Sequence, residues 1–163
     1  AIAEHADRDA PSLPIPPMEL DRDKLEEVDE RFTFHLRSLA ELRQLSEKSL
    51  PVLRDMLKYQ HDRDRMEKLF AKLNRLRVKV ESHPETFQLI EQLNTIGVYR
   101  RARADRAIRH AGDDKIARQS AQLRRDIDNI KMIIEACDEA TRIFQEARER
   151  IDVHLQAARQ SAA

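Results

Sequence analysis

The stretch 113–160, DDKIARQSAQLRRDIDNIKMIIEACDEATRIFQEARERIDVHLQAARQ, places Ile116, Leu123, Ile127, Ile130, Ile134, Cys137, Ala140, Ile143, Ala147, Ile151, Leu155 and Ala158 at steps of three and four, with one turn skipped at Ser120. Residues so spaced share one face of an α-helix. The spacing predicts a single helix of about 45 residues, on the order of 65 Å long at a rise of about 1.5 Å per residue. Gly112 reads as the stop of whatever precedes it, and Asp113-Asp114 as an acidic N-terminal cap. A helix of that length outruns a small bundle. Either residues 21–45 pack alongside its distal half, or a second copy of the chain does.

Upstream, Leu25, Val28, Phe32, Leu36, Leu39, Leu42 and Leu45 repeat the helical period and predict a helix over 21–48. Ser49-Leu50-Pro51 then reads as a start signal, because a capping hydroxyl is followed by a proline whose missing N–H is harmless in a first turn. The second helix carries Val52, Leu53, Met56 and Leu57 and gives way to the polar run Tyr59-Gln60-His61-Asp62-Arg63-Asp64, which places an interhelical loop at 59–62. A third helix with Met66, Leu69, Phe70, Leu73 and Leu76 inward stops at Ser82-His83-Pro84, since a residue before proline disfavours helical geometry. A short fourth helix opens at Pro84 with Phe87, Leu89, Ile90 and Leu93 inward. Gly97 caps it, and a second interhelical loop leads into an arginine-dense segment with Arg100, Arg101, Arg103, Arg106 and Arg109.

Composition supports the same architecture. The chain of 163 residues has only two glycines, and four of its six prolines fall within residues 1–18, an aperiodic stretch that reads as a disordered linker. The charged share of 37% against 4% aromatic residues supplies solvated helix faces rather than a broad core. The expected fold is all-α: a compact helical bundle with an additional N-terminal helix and a long C-terminal helix. Residues 19–163 are expected to form a single helical domain, with a core bundle at about 50–130 and the helix 21–48 packing on the distal part of the helix 113–160. Thirty basic residues balance thirty acidic ones, so attraction of the whole chain to nucleic acid or to a membrane surface is not expected. Cys137 stands alone, which excludes a disulfide framework and fits a reducing, intracellular compartment.

Catalysis lacks its parts. Two isolated glycines cannot build a phosphate-cradling loop, the six histidines never fall at the i, i+4 spacing that aims two imidazoles at one metal, and Cys137 lies mid-helix where no dipole stabilises a thiolate. The expectation is a non-enzymatic chain with no cofactor, no metal and no small-molecule substrate. Two features point to binding instead. The arginine segment could grip phosphates or pair with carboxylates of an acidic peptide, and the scarcity of aromatics beside it favours the peptide; a solvated helix face is its plainer reading. Tyr59 and Tyr99, the only tyrosines, both fall in predicted interhelical loops. They are either packing plugs or, if the loops meet at one end of the bundle, the walls of a small apolar pocket rimmed by charge.

Several spacings agree with one family. Leu73-x-x-Leu76-x-Val78, then Leu89-Ile90-x-x-Leu93-x-x-Ile96 and Tyr99, together with Leu57-Lys58-Tyr59, Asp62-x-x-Arg65-Met66 and Ile116-x-x-x-Ser120-x-x-Leu123, resemble the integrase-binding domain of lens epithelium-derived growth factor and its hepatoma-derived relatives. Those are chromatin proteins with a PWWP reader. The resemblance covers roughly residues 53–130, and Thr95-Ile96-Gly97 faintly echoes the N-terminal domain of elongation factor TFIIS. It implies a right-handed helical bundle, a nuclear, chromatin-associated adaptor, and a contact surface for acidic, Phe-containing motifs of regulatory partners such as chromatin factors or kinases. Carried over by position, that surface is Tyr59, Gln60, His61 and Asp62 in the first loop and Val98, Tyr99, Arg100 and Arg101 in the second. The first loop is a residue shorter than the family's, leaving either His61 or Asp62 for its acidic acceptor, and about ten extra residues stand between Tyr99 and Ile116. The alternative reading is a scaffold or homodimerisation segment acting through the long C-terminal helix.

Overall fold

The chain is seen in a computed structural model that describes residues 22–93 and 114–162. Of these, 94% are helical, and no strand occurs among them. Four helices follow in order: α1 (Arg22–Lys58), α2 (Arg63–Glu81), α3 (Pro84–Leu93) and α4 (Lys115–Ala162). The all-α class and the long C-terminal helix expected from the sequence are thus present. The described residues fall into two compact units, one drawn from Ala1–Phe34 and Phe144–Ala163, the other from His35–Ile143.

In the unit His35–Ile143, the core joins Val52, Leu53 and Met56 of α1 to Met66 and Leu73 of α2 and to Leu123 and Ile127 of α4. Leu50, Leu57, Leu69, Leu76 and Ile130 pack against this cluster from its margins. The short helix α3 contributes Thr86 and Ile90, both fully buried, and is tied to α1 at two points. His35 Nδ1 lies 3.3 Å from Thr86 Oγ1 in a buried contact, and His83 Nε2 lies 2.9 Å from Glu41 Oε2. A further link joins α1 to α4, where Arg43 Nε meets Asp138 Oδ1 at 2.6 Å near the buried small residues Ala136, Cys137 and Ala140.

In the other unit, the Phe32 and Phe144 rings meet with centroids 5.4 Å apart, a tilted aromatic contact. Arg148 Nε donates to Asp29 Oδ1 at 3.1 Å, and Leu25 and Leu155 are buried. The beginning of α1 therefore lies against the distal part of α4 within this unit.

One expected boundary is overturned. No helix ends near Lys48 and none begins at Ser49; α1 runs without interruption through Pro51 to Lys58. A proline inside a helix removes one backbone hydrogen bond and crowds the carbonyl four residues earlier. Here the apolar face continues across it, since His35, Ser38, Leu39, Leu42, Ser46, Ser49, Val52, Leu53 and Met56 are all buried at helical steps. Pro51 itself points to solvent, so the carbonyl it frees can bind water. Ser49 did not cap a new helix: its hydroxyl donates back to Leu45 O at 2.9 Å, the bond that a serine inside a helix makes.

Three side chains placed on apolar faces are exposed instead, the first being Val28 in the unit that holds the start of α1. Phe70 is 46% exposed because the buried face of α2 is centred on Met66, Leu69, Leu73 and Leu76, and a residue one position after Leu69 sits about a quarter-turn off it. Ile116, 47% exposed, belongs to the first turn of α4, before the helix reaches the core cluster at Leu123.

These features set a paired expectation in urea denaturation. Leu53→Ala costs about 2–5 kcal/mol, as a fully buried leucine does. Pro51→Ala stabilises by about 1–3 kcal/mol, because alanine restores the missing bond in a helix interior. A Pro51→Ala variant that is neutral or less stable would place a helix start at that position.

Candidate functional site

The first interhelical corner is built by three local devices. Tyr59 N donates to Asp55 O at 2.8 Å, carrying the last turn of α1 one residue further, and Asp62 N donates to Tyr59 O at 3.0 Å to close the turn. Asp62 then starts α2: its backbone is extended, and its Oδ1 accepts from Arg65 N at 3.1 Å, so one orphan amide of the first turn is satisfied. The expected loop 59–62 is therefore a three-residue turn plus an N-cap.

Gln60 fixes this corner to a distant part of the chain. Its Nε2 donates to Leu57 O at 3.1 Å and to Ser120 Oγ at 2.8 Å, while Ser120 Oγ donates to Gln60 Oε1 at 3.1 Å, so the hydroxyl accepts from the amide nitrogen and donates to the amide oxygen. The turn at which the apolar period of α4 skips, Ser120, is thus the turn that holds the corner. Asp114 caps the same helix, accepting from Ile116 N at 3.0 Å and Ala117 N at 3.1 Å through Oδ1.

Tyr59 is half-buried and sits between two cations. The Arg65 guanidinium carbon stands 4.2 Å from its ring centroid and Lys58 Nζ stands 5.3 Å away, within cation–π range. The Lys58 ammonium, with the Arg65 guanidinium next, favours the phenolate and holds the hydroxyl below the usual tyrosine range. Beside the ring opens a groove of about 280 Å³ lined by Asp55, Tyr59, Arg65, Lys68 and Leu69. Tyr59 and Leu69 give it apolar walls, and Arg65 with Lys68 outweigh Asp55 at its rim. His61 is exposed in the turn, and the Asp62 carboxylate, committed through Oδ1 to the cap, has Oδ2 3.4 Å from Arg65 Nε.

Of the residues singled out in the sequence, Tyr59, Gln60, His61 and Asp62 share this corner, although Gln60 is spent on structure. Val98, Tyr99, Arg100 and Arg101 lie outside the described residues, as do Arg103, Arg106 and Arg109. Arg65, Lys68 and Leu69 were missed as members of the site. Their signal was available: on a helix that starts at Arg63, positions 65, 68 and 69 lie within two turns of the corner and on one side.

Two other chemistries can be placed. Among the described residues, no three His, Cys, Asp or Glu side chains cluster in a way that could hold a metal ion, and no helix is long and apolar enough to cross a membrane. Cys137 is fully buried, and burial, reinforced by the neighbouring Asp138 carboxylate, pushes its thiol up to about 12.

Comparison of the chain with protein-family models, with curated proteins and with solved structures yields no match in any of the three.

Two outcomes are expected from this geometry. Asp62→Ala, which removes the cap of α2, lowers stability by about 1 kcal/mol in chemical denaturation, with Asp62→Asn recovering most of it. The Cys137 thiol fails to react with a disulfide reagent at mildly alkaline pH in the native protein and reacts fully once the chain is unfolded. Because the folded value lies above the unfolded one, this thiol's contribution to stability is complete below about pH 9 and declines as pH rises from there towards 12. Rapid native labelling would show that α4 opens locally around Cys137.

Proposed function

We propose that this chain is a non-enzymatic protein–protein interaction module of a nuclear, chromatin-associated adaptor, binding acidic, Phe-containing linear motifs of regulatory partners at the Tyr59 corner. The observation that carries the reading is the groove of about 280 Å³ beside Tyr59, apolar at its walls and cationic at its rim. A cavity of about 150 Å³ takes a benzene ring, so this one has room for a phenylalanine side chain with part of its backbone. Lowering of the tyrosine hydroxyl by Lys58 and Arg65 reports a positive potential at the corner, and the same potential favours carboxylates of an incoming peptide. The resemblance of residues 53–130 to the integrase-binding domain supports the chromatin setting and supplies the partner class.

In this mechanism a partner Phe enters between Tyr59 and Leu69, flanking Asp or Glu residues pair with Arg65 and Lys68, and Asp62 Oδ2 accepts a peptide N–H. Arg100 and Arg101, with Val98 and Tyr99, are proposed to extend the same surface. Of the two candidates for the acceptor, Asp62 is preferred to His61 because its second carboxylate oxygen, though 3.4 Å from Arg65 Nε, keeps a lone pair for a peptide N–H. A Phe buried in this way contributes roughly 1.5–3 kcal/mol, and the rim pairing adds a salt-sensitive share.

A second reading has its own observation. In the unit that pairs the start of α1 with the end of α4, Val28 is 41% and Val153 is 64% exposed. Apolar residues left outward on a helix pair suit self-association, and a scaffold or homodimerisation role through the long C-terminal helix rests on them.

Titration of an acidic Phe-containing peptide, followed by backbone amide shifts, tests the first reading. Saturable shifts centred on residues 55–69 are expected, with affinity falling about tenfold to hundredfold when the peptide Phe becomes Ala and comparably for Arg65→Glu. No shift at those residues at millimolar peptide overturns it. Light scattering decides the second reading: a dimer that dissociates on Val153→Glu supports it, and a monomer at all concentrations removes it.

A further inference from the structure

A second groove, of about 330 Å³, opens in the unit His35–Ile143 and shares no residue with the Tyr59 corner. Its walls are apolar, with Leu53, Leu73, Phe87, Ile130 and Ile133 contributed by all four helices. That volume lies at the small end of ligand sites, and by the benzene standard of about 150 Å³ it accommodates roughly a dozen non-hydrogen atoms.

Its polar groups are few, and one of them, the Ser49 hydroxyl, is spent on Leu45 O. Asp126 and Asn129, one turn apart on α4, face Arg77 and Glu81, one turn apart on α2. Two carboxylates against one guanidinium leave the groove with one net negative charge. Arg125 also acts on Asp126 electrostatically, but it is not among the groove's lining residues. Gln122 Nε2 donates to Asp126 Oδ1 at 3.1 Å, which leaves Oδ2 for another donor. Burial holds the Asp126 carboxyl above the usual carboxylate range despite Gln122, Arg77 and Arg125, so its charge is incompletely compensated. Asn129 Oδ1 is buried with no hydrogen-bond partner. An amide oxygen in that state lacks an interaction that water or a ligand normally supplies. The terminal torsion of asparagine is soft, and a modest rotation turns this oxygen towards a donor in the groove.

We propose that this groove is a binding site for a small cationic amphiphile: an apolar body of about a dozen non-hydrogen atoms carrying a primary or secondary ammonium, held by Asp126 Oδ2 and Asn129 Oδ1. The ammonium supplies the donor that Asn129 Oδ1 lacks, pairs with the Asp126 carboxylate and neutralises the net charge, while the apolar body covers Leu53, Leu73 and Phe87. The site is independent of peptide binding at Tyr59, and either can fail without the other.

Three probes of one shape and different head groups test it on the full chain: 4-phenylbutylamine, 4-phenylbutan-1-ol and 4-phenylbutyrate, each titrated near neutral pH and followed by backbone amide shifts. The amine is expected to saturate, with shifts centred on residues 73–81 and 126–133, at least about tenfold tighter than the alcohol or the carboxylate. Asp126→Asn is expected to weaken the amine about tenfold and Asn129→Leu severalfold, each with helical content retained. Glu81→Gln, at an exposed position where folding is not at stake, weakens it about threefold and answers the question should Asp126→Asn not fold. Equal binding of the alcohol shows that burial alone drives occupancy and overturns the assignment. Preference for the carboxylate does the same, placing Arg77 or an inward Asn129 amide nitrogen in command. No saturation at about 10 mM amine, shifts confined to the Tyr59 corner, or unchanged affinity in the folded variants each overturn it as well.

Discussion

The uninterrupted burial of one face of α1 across Pro51 sets the geometry on which the rest of the unit His35–Ile143 depends. Backbone preference alone argues for a break there, since a proline in a helix interior is unfavourable by about 3 kcal/mol. Against it stand Leu42, Ser46, Ser49, Val52, Leu53 and Met56, all buried on a single helical stripe on both sides of the proline. Each large apolar side chain among them contributes roughly 1.5–3 kcal/mol when fully buried, so the four of them outweigh the local cost by a clear margin. The helical path then carries Leu57 to the margin of the core and delivers Tyr59 at a defined angle to the start of α2.

From that constraint the corner follows. Because α1 reaches Lys58 in register, Gln60 falls opposite Ser120 and the reciprocal amide–hydroxyl pair can form across sixty residues of sequence. Asp62 terminates the turn, and Arg65, the third residue of α2, stacks on Tyr59. A surface made this way is held by a helix cap and a partly buried side-chain hydrogen-bond pair rather than by exposed ion pairs, which individually contribute little. Rigid placement of a few side chains suits recognition of a short peptide, since little conformational freedom remains to be lost on binding.

Local signals in the sequence translated directly into structure. Asp114 was legible as a helix start because capping involves only the next three residues, whereas the same signal at Asp62 falls within the polar run that reads as loop. The long C-terminal helix was legible from its period, and Cys137 was legible as an interior residue from its place on that helix's apolar face. Pro51 was misread because the start signal Ser-Leu-Pro was weighed by itself; following the apolar stripe through 46, 49, 52 and 53 would have shown that the proline lies on the outer face. The partners of Gln60 and His35 were not legible, since both bonds join residues more than fifty positions apart. The groove at Tyr59 was half legible: the tyrosine and the charged rim were anticipated, but its cations come from Arg65 and Lys68 of α2.

Hydrogen exchange at single residues tests the continuity of α1 most directly. In a helix that passes through Pro51, the amides of Leu50 and Val52 bond to carbonyls four residues earlier, and both are expected to show the slow exchange of the surrounding core. In a helix that begins at Ser49, these same amides occupy a first turn where intrahelical partners are missing. Exchange there at close to the unprotected rate, beside slow exchange at Met56 and Leu57, would contradict the structure of the corner and everything built on it.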